Sequence, residues 1–324
     1  MKKKIIIITT GGTIAMKQNS PFGVVPNDEF TAGLLSFEQL KDLATIDVHE
    51  YANIPSPYMT PEKMLELAKF VDSEIERYDG AVITHGTDTL EETAYFLNLN
   101  LKTEKPVVFT AAMRSSSELG LDGPRNIVGA VRAAACEESK GKGVLVVMDD
   151  AINSARDVVK TDSGRTDSFF TPLYGLLGTI DPDKITYYRK ALFHEKIQTD
   201  TIEPNIDLIK CVSGMDSRFL DTAIRQNTRA IVLEAFGRGN IPPAIIPAVR
   251  RAIAAGILVV VVSRTYTGRV LPEYGYEGGG LFLQKLGVIL GSDLKGPKMR
   301  LRLMLLFGKY KEPQIVRDYL EKNT

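Results

Sequence analysis

The stretch that decides the fold is Lys4-Ile5-Ile6-Ile7-Ile8-Thr9-Thr10-Gly11-Gly12-Thr13. Four consecutive isoleucines have no alternation, so neither face of the segment is meant for water. That is the pattern of an inner strand of a parallel sheet. The run stops at two threonines and two glycines, and the glycines, lacking Cβ, allow a tight turn at the strand's carboxyl end. In open α/β sheets ligands bind at that end. Three threonine hydroxyls and several backbone N–H groups are thus brought to a place suited to a substrate, although a plain βα turn with solvated threonines has the same letters.

Further along, the same grammar recurs. Thr60 precedes Pro61 and Glu62, the signs of a capped helix start, and apolar residues from Met64 to Ile75 then recur at helical spacing. Residues 81–84 form a second buried strand, ending in His85-Gly86-Thr87-Asp88-Thr89. Thr89 and Glu92 have capping-box spacing and open a helix through Leu101. Residues 106–110 and 143–148 are the third and fourth strands, separated by a helix through Cys136, and the fourth ends at Asp149-Asp150. Residues 36–43 predict a short helix and 47–53 a short strand. Residues 17–29, rich in polar residues, Gly and Pro, predict an irregular loop suited to be a lid. Strands alternating with helices predict two α/β domains: a larger N-terminal one with a doubly wound, mostly parallel sheet, and a smaller C-terminal one with a parallel sheet. Periodicity fades before residue 206, which places domains at 1–190 and 206–324 with a linker at 191–205. In the second domain, strands are expected at 206–212, 230–234 and 257–262, and helices at 216–226, 243–255 and 314–322.

Composition narrows the function. Forty basic residues balance forty acidic ones, which gives no electrostatic ground for a nucleic acid or anionic membrane partner. Lys2-Lys3-Lys4 resembles the start of a secretion signal, but four isoleucines fall short of the roughly 7–15 apolar residues required. No run approaches about 18 apolar residues, so no membrane span is expected and the chain reads as cytoplasmic. Cys136 and Cys211 have no zinc or disulfide spacing and read as small buried residues. No Gly-x-Ser-x-Gly elbow, phosphate-binding glycine motif or metal-ligand cluster occurs. His85 suits either a base or a residue that orients its loop. What remains is hydroxyl chemistry: a threonine needs a base to become a nucleophile, and Lys160 with Asp88 beside Thr87 would supply one, although Lys160 by itself reads as a surface charge beside Asp157 and Asp162.

Thr9-Thr10-Gly11-Gly12-Thr13-Ile14-Ala15 and His85-Gly86-Thr87-Asp88-Thr89-Leu90-Glu91-Glu92 resemble the two signature motifs of bacterial L-asparaginases. The similarity continues through Ala112-Met113-Arg114, Asp122-Gly123-Pro124 and Arg156-Asp157-Val158-Val159-Lys160-Thr161, and more weakly at 237–240 and 263–268. The resemblance implies hydrolysis of L-asparagine to L-aspartate and ammonia without metal or organic cofactor. It implies Thr13 as nucleophile and Thr87, Asp88 and Lys160 as the proton-transfer set. Ser56, Thr87, Asp88 and Ala112 would hold substrate, with Asp88 meeting its ammonium group and Ser56 its α-carboxylate. It further implies a homo-oligomer, a dimer or tetramer. Phe22 stands where the family has a lid tyrosine, Pro57 where some members have glutamine, and Glu273 or Tyr274 where a neighbouring subunit would complete the site. The near rivals are a glutaminase-asparaginase and a tRNA-linked amidotransferase subunit. From another class, the rival is a non-catalytic nucleotide- or amino-acid-binding module.

Overall fold

The computed structural model describes residues 2–18, 23–26, 33–34, 38–191 and 195–323. The chain divides into two compact units, Met1–Lys196 and Ile197–Thr324.

The first unit opens with β1 (Lys4–Thr9), whose isoleucines are all at most 2% exposed, as a strand covered on both faces must be. Each such burial contributes roughly 1.5–3 kcal/mol. A short 3₁₀ turn leads to β2 (Met16–Gln18), which pairs antiparallel with β3 (Val24–Pro26). This corrects the expectation of a wholly irregular loop there. So short a ribbon is set by its pairing partner, and it leaves no periodicity to read. Then come α1 (Glu38–Leu43), β4 (Thr45–Glu50), a 3₁₀ turn over Ser56–Tyr58, α2 (Pro61–Glu74) and β5 (Gly80–Thr84). Thr60 caps α2 as expected, its side chain accepting the Lys63 N–H. After them lie α3 (Leu90–Asn100), β6 (Val107–Thr110), α4 (Gly123–Ala135), β7 (Val144–Met148) and β8 (Ala151–Ser154). β9 (Val159–Lys160) and β10 (Phe169–Phe170) form a separate ribbon, and β11 (Gly178–Ile180) and β12 (Ile185–Tyr187) return to the sheet.

The sheet runs β12-β11-β8-β7-β6-β5-β1-β4. From β4 to β7 every pair is parallel, and from β7 outward every pair is antiparallel. The sheet is therefore mixed. The switch happens at Asp149-Asp150, which both take left-handed backbone angles (φ 49° and 58°) and turn β7 directly into β8. Two consecutive positive-φ residues make the hairpin turn whose twist matches its strands, and Asp tolerates the conformation better than most residues. α1 packs on α4 and α2 packs on α3, one helix pair for each face of the sheet. α4 carries its small residues Ala130, Ala133 and Ala134 onto a core with Ile5, Ile7, Val82 and Val108.

The second unit holds β13 (Ile206–Lys210), α5 (Arg218–Arg225), β14 (Ala230–Ala235), α6 (Ile246–Ala254), β15 (Leu258–Ser263), α7 (Gly280–Leu286) and β16 (Ile289–Leu290). α8 (Gly296–Tyr310) and α9 (Pro313–Lys322) complete it. Its sheet is all parallel, in the order β13-β14-β15-β16. Among the described residues no helix is long and apolar enough to cross a membrane. Both cysteines are free. Cys211 is buried, and that burial pushes its thiol up to about 12. Cys136 is only half-buried, because it stands just past the end of α4.

Candidate active site

Strand ends β1, β5 and β6 are stitched together by backbone bonds. Thr10 N–H donates to Thr84 O at 3.1 Å and His85 N–H to Thr110 O at 3.0 Å. Two glycines set how closely the loops beyond them approach. Gly11 has φ +102°, and a Cβ there would lie 2.4 Å from Ile54 N. Gly12 has φ +86°, and its Cβ would lie 2.3 Å from Gly86 Cα. Both positions therefore exclude every side chain. The Thr10–Thr13 turn thus rests directly on the His85–Asp88 turn, with the 53–56 segment against the same face. A Cβ on Gly86 would meet Ser56 Cβ at 2.7 Å, so Ser56 sits beside the residue preceding Thr87.

Thr13, half-buried, begins the 3₁₀ turn that follows Gly12. Thr87 is 7% exposed. Lys160 reaches both its expected partners, its Nζ donating to Thr87 Oγ1 at 3.0 Å and to Asp88 Oδ1 at 2.8 Å. The lysine side chain is 16% exposed and the aspartate 62%, so the ammonium is sheltered while the carboxylate opens outward. Ala112 lies buried beyond β6. A Cβ at Gly123 would touch both Ala112 Cβ (3.5 Å) and Ile14 (3.2 Å), which places Ala112 and the residue after Thr13 against the same glycine.

Several residues outside that set hold it in shape. The Asp122 carboxylate accepts the N–H groups of Met113 and Arg114, each at 3.0 Å. Asn126 donates to Ala111 O at 3.0 Å and accepts from Asp149 N–H at 2.9 Å, tying the ends of β6 and β7. Thr89 does not complete a capping box: no side-chain cap bond forms at α3, and its hydroxyl donates to Ser56 O at 2.8 Å. Sequence reasoning passed over Glu91, which accepts the backbone N–H of Lys160 at 3.2 Å. The available signal was its acidic character in the first turn of a helix, which reads equally as a dipole partner.

His85 is 1% exposed, its Nδ1–H donating to Gly86 O at 2.8 Å, and its Nε2 has no partner among the described residues. Burial lowers its pKa to about 4. A neutral imidazole bonded to its own turn orients that turn, which is the second of the two roles read from the sequence. Phe22 lies outside the described residues. Glu273 and Tyr274 belong to the second unit, where Glu273 pairs with Arg238 at 3.5 Å. Tyr58 is 63% exposed in the turn that begins with Ser56. Among the described residues, no group of three His, Cys, Asp or Glu side chains is arranged to hold a metal ion.

A mixed α/β sheet thus brings two threonine-bearing turns into contact through their glycines, with a lysine bonded to the second of them. Residues 4–193 match the family described as "Asparaginase, N-terminal", and residues 205–320 match "Glutaminase/Asparaginase C-terminal domain". The chain belongs to the asparaginase family. It is 37% identical to an "L-asparaginase" of Bacillus licheniformis, covering 96% of this chain and 98% of that protein. A "Probable L-asparaginase periplasmic" of Haemophilus influenzae is 35% identical over 98% of this chain and 92% of its own length. A "Glutaminase-asparaginase" of Acinetobacter glutaminasificans is 32% identical, with 98% of each chain covered.

Proposed function

We propose that the chain hydrolyses L-asparagine to L-aspartate and ammonia through a threonine acyl-enzyme. The observation that carries the reading is the Lys160 Nζ bound to both Thr87 and Asp88 of the second turn. In this mechanism the Thr13 oxygen attacks the side-chain amide carbon and gives up its proton to the Thr87–Lys160–Asp88 set. Backbone N–H groups of the two turns receive the negative charge that develops on the amide oxygen. The C–N bond then breaks, and the same set returns a proton to the leaving nitrogen, which departs as ammonia. Water adds to the ester carbon, the Thr13 oxygen leaves with a proton restored, and aspartate is released.

Substrate binding follows from charge. The outward-facing Asp88 carboxylate suits the substrate ammonium, and the Ser56 hydroxyl and Ala112 backbone suit its carboxylate and amide ends. Fixing a zwitterion at both poles orients its side-chain amide toward Thr13. An ammonia-release assay with asparagine and glutamine side by side tests the reading. Release from asparagine at the higher kcat/KM is the expected result, and binding by titration calorimetry without release would make the chain a binding module instead.

The oligomer we infer is a homodimer or homotetramer, supported by family membership and by the exposed Tyr274 and Tyr276. Light scattering that finds a fully active monomer at nanomolar concentration would overturn it. The compartment we infer is the cytoplasm. Cell fractionation checks it.

A further inference from the structure

Two residues of the candidate site come from segments that lie outside the strand ends β1, β5 and β6. Ser56 comes from a 3₁₀ turn, and Lys160 from a two-residue strand in a ribbon separate from the main sheet. Neither position is fixed by the register of the main sheet. Both segments are bound to the first turn of α3 and the residue before it. Thr89 Oγ1 donates to Ser56 O at 2.8 Å, and Glu91 Oε2 accepts Lys160 N–H at 3.2 Å.

The head of α2 shows what a helix start usually does with these side chains. There Thr60 keeps its oxygen for the Lys63 N–H of its own helix. At α3 the threonine makes no such cap and its hydroxyl donates to another segment, so a local preference is broken where the site is assembled. Glu91 likewise reaches off its helix. Lys160 is consequently held at both ends by residues 87–91: its backbone by Glu91, its Nζ by Thr87 and Asp88.

We propose that the start of α3 is a clamp, in which Glu91 is a positioning residue for Lys160 and Thr89 a positioning residue for Ser56. The proposal rests on the amidohydrolase reading for its kinetic consequences, though not for its geometric ones. Glu91 sets where the Lys160 chain emerges, and so where its Nζ meets Thr87. Thr89 sets the depth of the Ser56 turn against Gly86.

The test is a set of variants read by kinetics and by amide exchange. Glu91→Ala should lower kcat about 10- to 100-fold with KM within threefold, because displacing a reacting group by about 1 Å costs on that order. Glu91→Gln keeps an acceptor oxygen and should retain at least half of the wild-type kcat. Thr89→Val should instead raise KM about tenfold and leave kcat within threefold, with Thr89→Ser restoring it. Hydrogen exchange at the Lys160 amide should quicken at least tenfold in Glu91→Ala and stay slow in Glu91→Gln, whether or not the wild type releases ammonia. Unchanged kcat and unchanged Lys160 exchange in Glu91→Ala would overturn the clamp. So would a Gln variant as impaired as Ala, since charge rather than the hydrogen bond would then matter. If Glu91→Ala fails to fold, Glu91→Met against Glu91→Gln gives the same contrast. A wild type that releases no ammonia refutes the amidohydrolase reading and leaves the exchange result to decide the clamp.

Discussion

The two sheets of this chain are built from the same βα units, yet only one gathers a candidate site. In the second unit β13 to β16 lie in sequence order, so each connection steps one strand over in the same direction. α5 and α6 pack side by side, while α8 lies against β13, β14 and β15. The loops at the strand ends then all leave the same way, and nothing parts them. In the first unit the chain leaves β1 for β4 on one side, then crosses back to β5 on the other, with α1 and α2 in different helix pairs. The turns after β1 and β5 diverge at that reversal, where open α/β sheets bind ligands. Glycines Gly12 and Gly86 bring the bases of those turns into contact, and Thr13 and Thr87 stand just beyond it. Topology thus chooses the place, and the turn residues decide the chemistry.

The sharpest way to break that contrast is at Thr13. Thr13→Ala removes the proposed covalent step and should lower kcat by about a thousandfold or more with an unchanged melting temperature. A variant that keeps more than a few per cent of turnover would move the nucleophile elsewhere. Lys160→Met follows, with a fall in kcat of about 100- to 1000-fold. It preserves most of the stem packing, so its thermal midpoint should stay close to wild type. An active, folded Lys160→Met would take the lysine out of the proton path and leave it a buried structural cation.

How much of this was readable follows from what each signal depends on. β1 and β5 are buried on both faces, and their letters say so; the glycine turns after them are equally local, so Thr13, Thr87 and Asp88 can be picked out in one dimension. Lys160 needed the family resemblance, because nothing in its neighbourhood tells a surface charge from one folded back onto Thr87. β8 was missed because its residues, Ala151-Ile152-Asn153-Ser154, are strand only by virtue of the Asp149-Asp150 reversal. α8 was missed for a different reason. It is buried nearly all round, even at Lys298 and Arg302, and a helix without a wet face has no amphipathic period. Thr89 misled because spacing cannot show which acceptor a hydroxyl will choose once the chain folds.

A third expectation concerns the base of the site. The unfolded His85 imidazole takes a proton at about 6.5, and the buried one only at about 4. Between those values the unfolded chain binds more protons, so stability rises with pH. The contribution is complete above pH 6.5 and is lost as the pH falls toward 4, amounting to about 3 kcal/mol. Urea titrations of wild type and His85→Gln at pH 7 and pH 4 check it. The variant should lose about that much less on acidification, and equal losses would show that the ring takes its proton without unfolding the turn.

The smallest effect is expected in the second sheet, and it tests the contrast from its quiet side. Ser263 ends β15 and is 3% exposed; its hydroxyl donates to Gly237 O at 2.6 Å and lies 2.7 Å from Thr265 Oγ1. By type and place it is the counterpart of a site residue: a hydroxyl at the carboxyl end of a buried parallel strand, in a loop that also carries Arg264 and Thr267. If order reversal is what makes a crevice, this hydroxyl serves only the loop it bonds. Ser263→Ala then removes the bonds of this hydroxyl to Gly237 O and Thr265, for about 1–2 kcal/mol. That corresponds to a thermal midpoint lower by about 3–8 °C in a chain unit of this size. The kcat on asparagine should stay within twofold. A tenfold fall in kcat with an unchanged midpoint would mean that the strand ends of the second sheet take part in the reaction, and topology alone would no longer explain where the site lies.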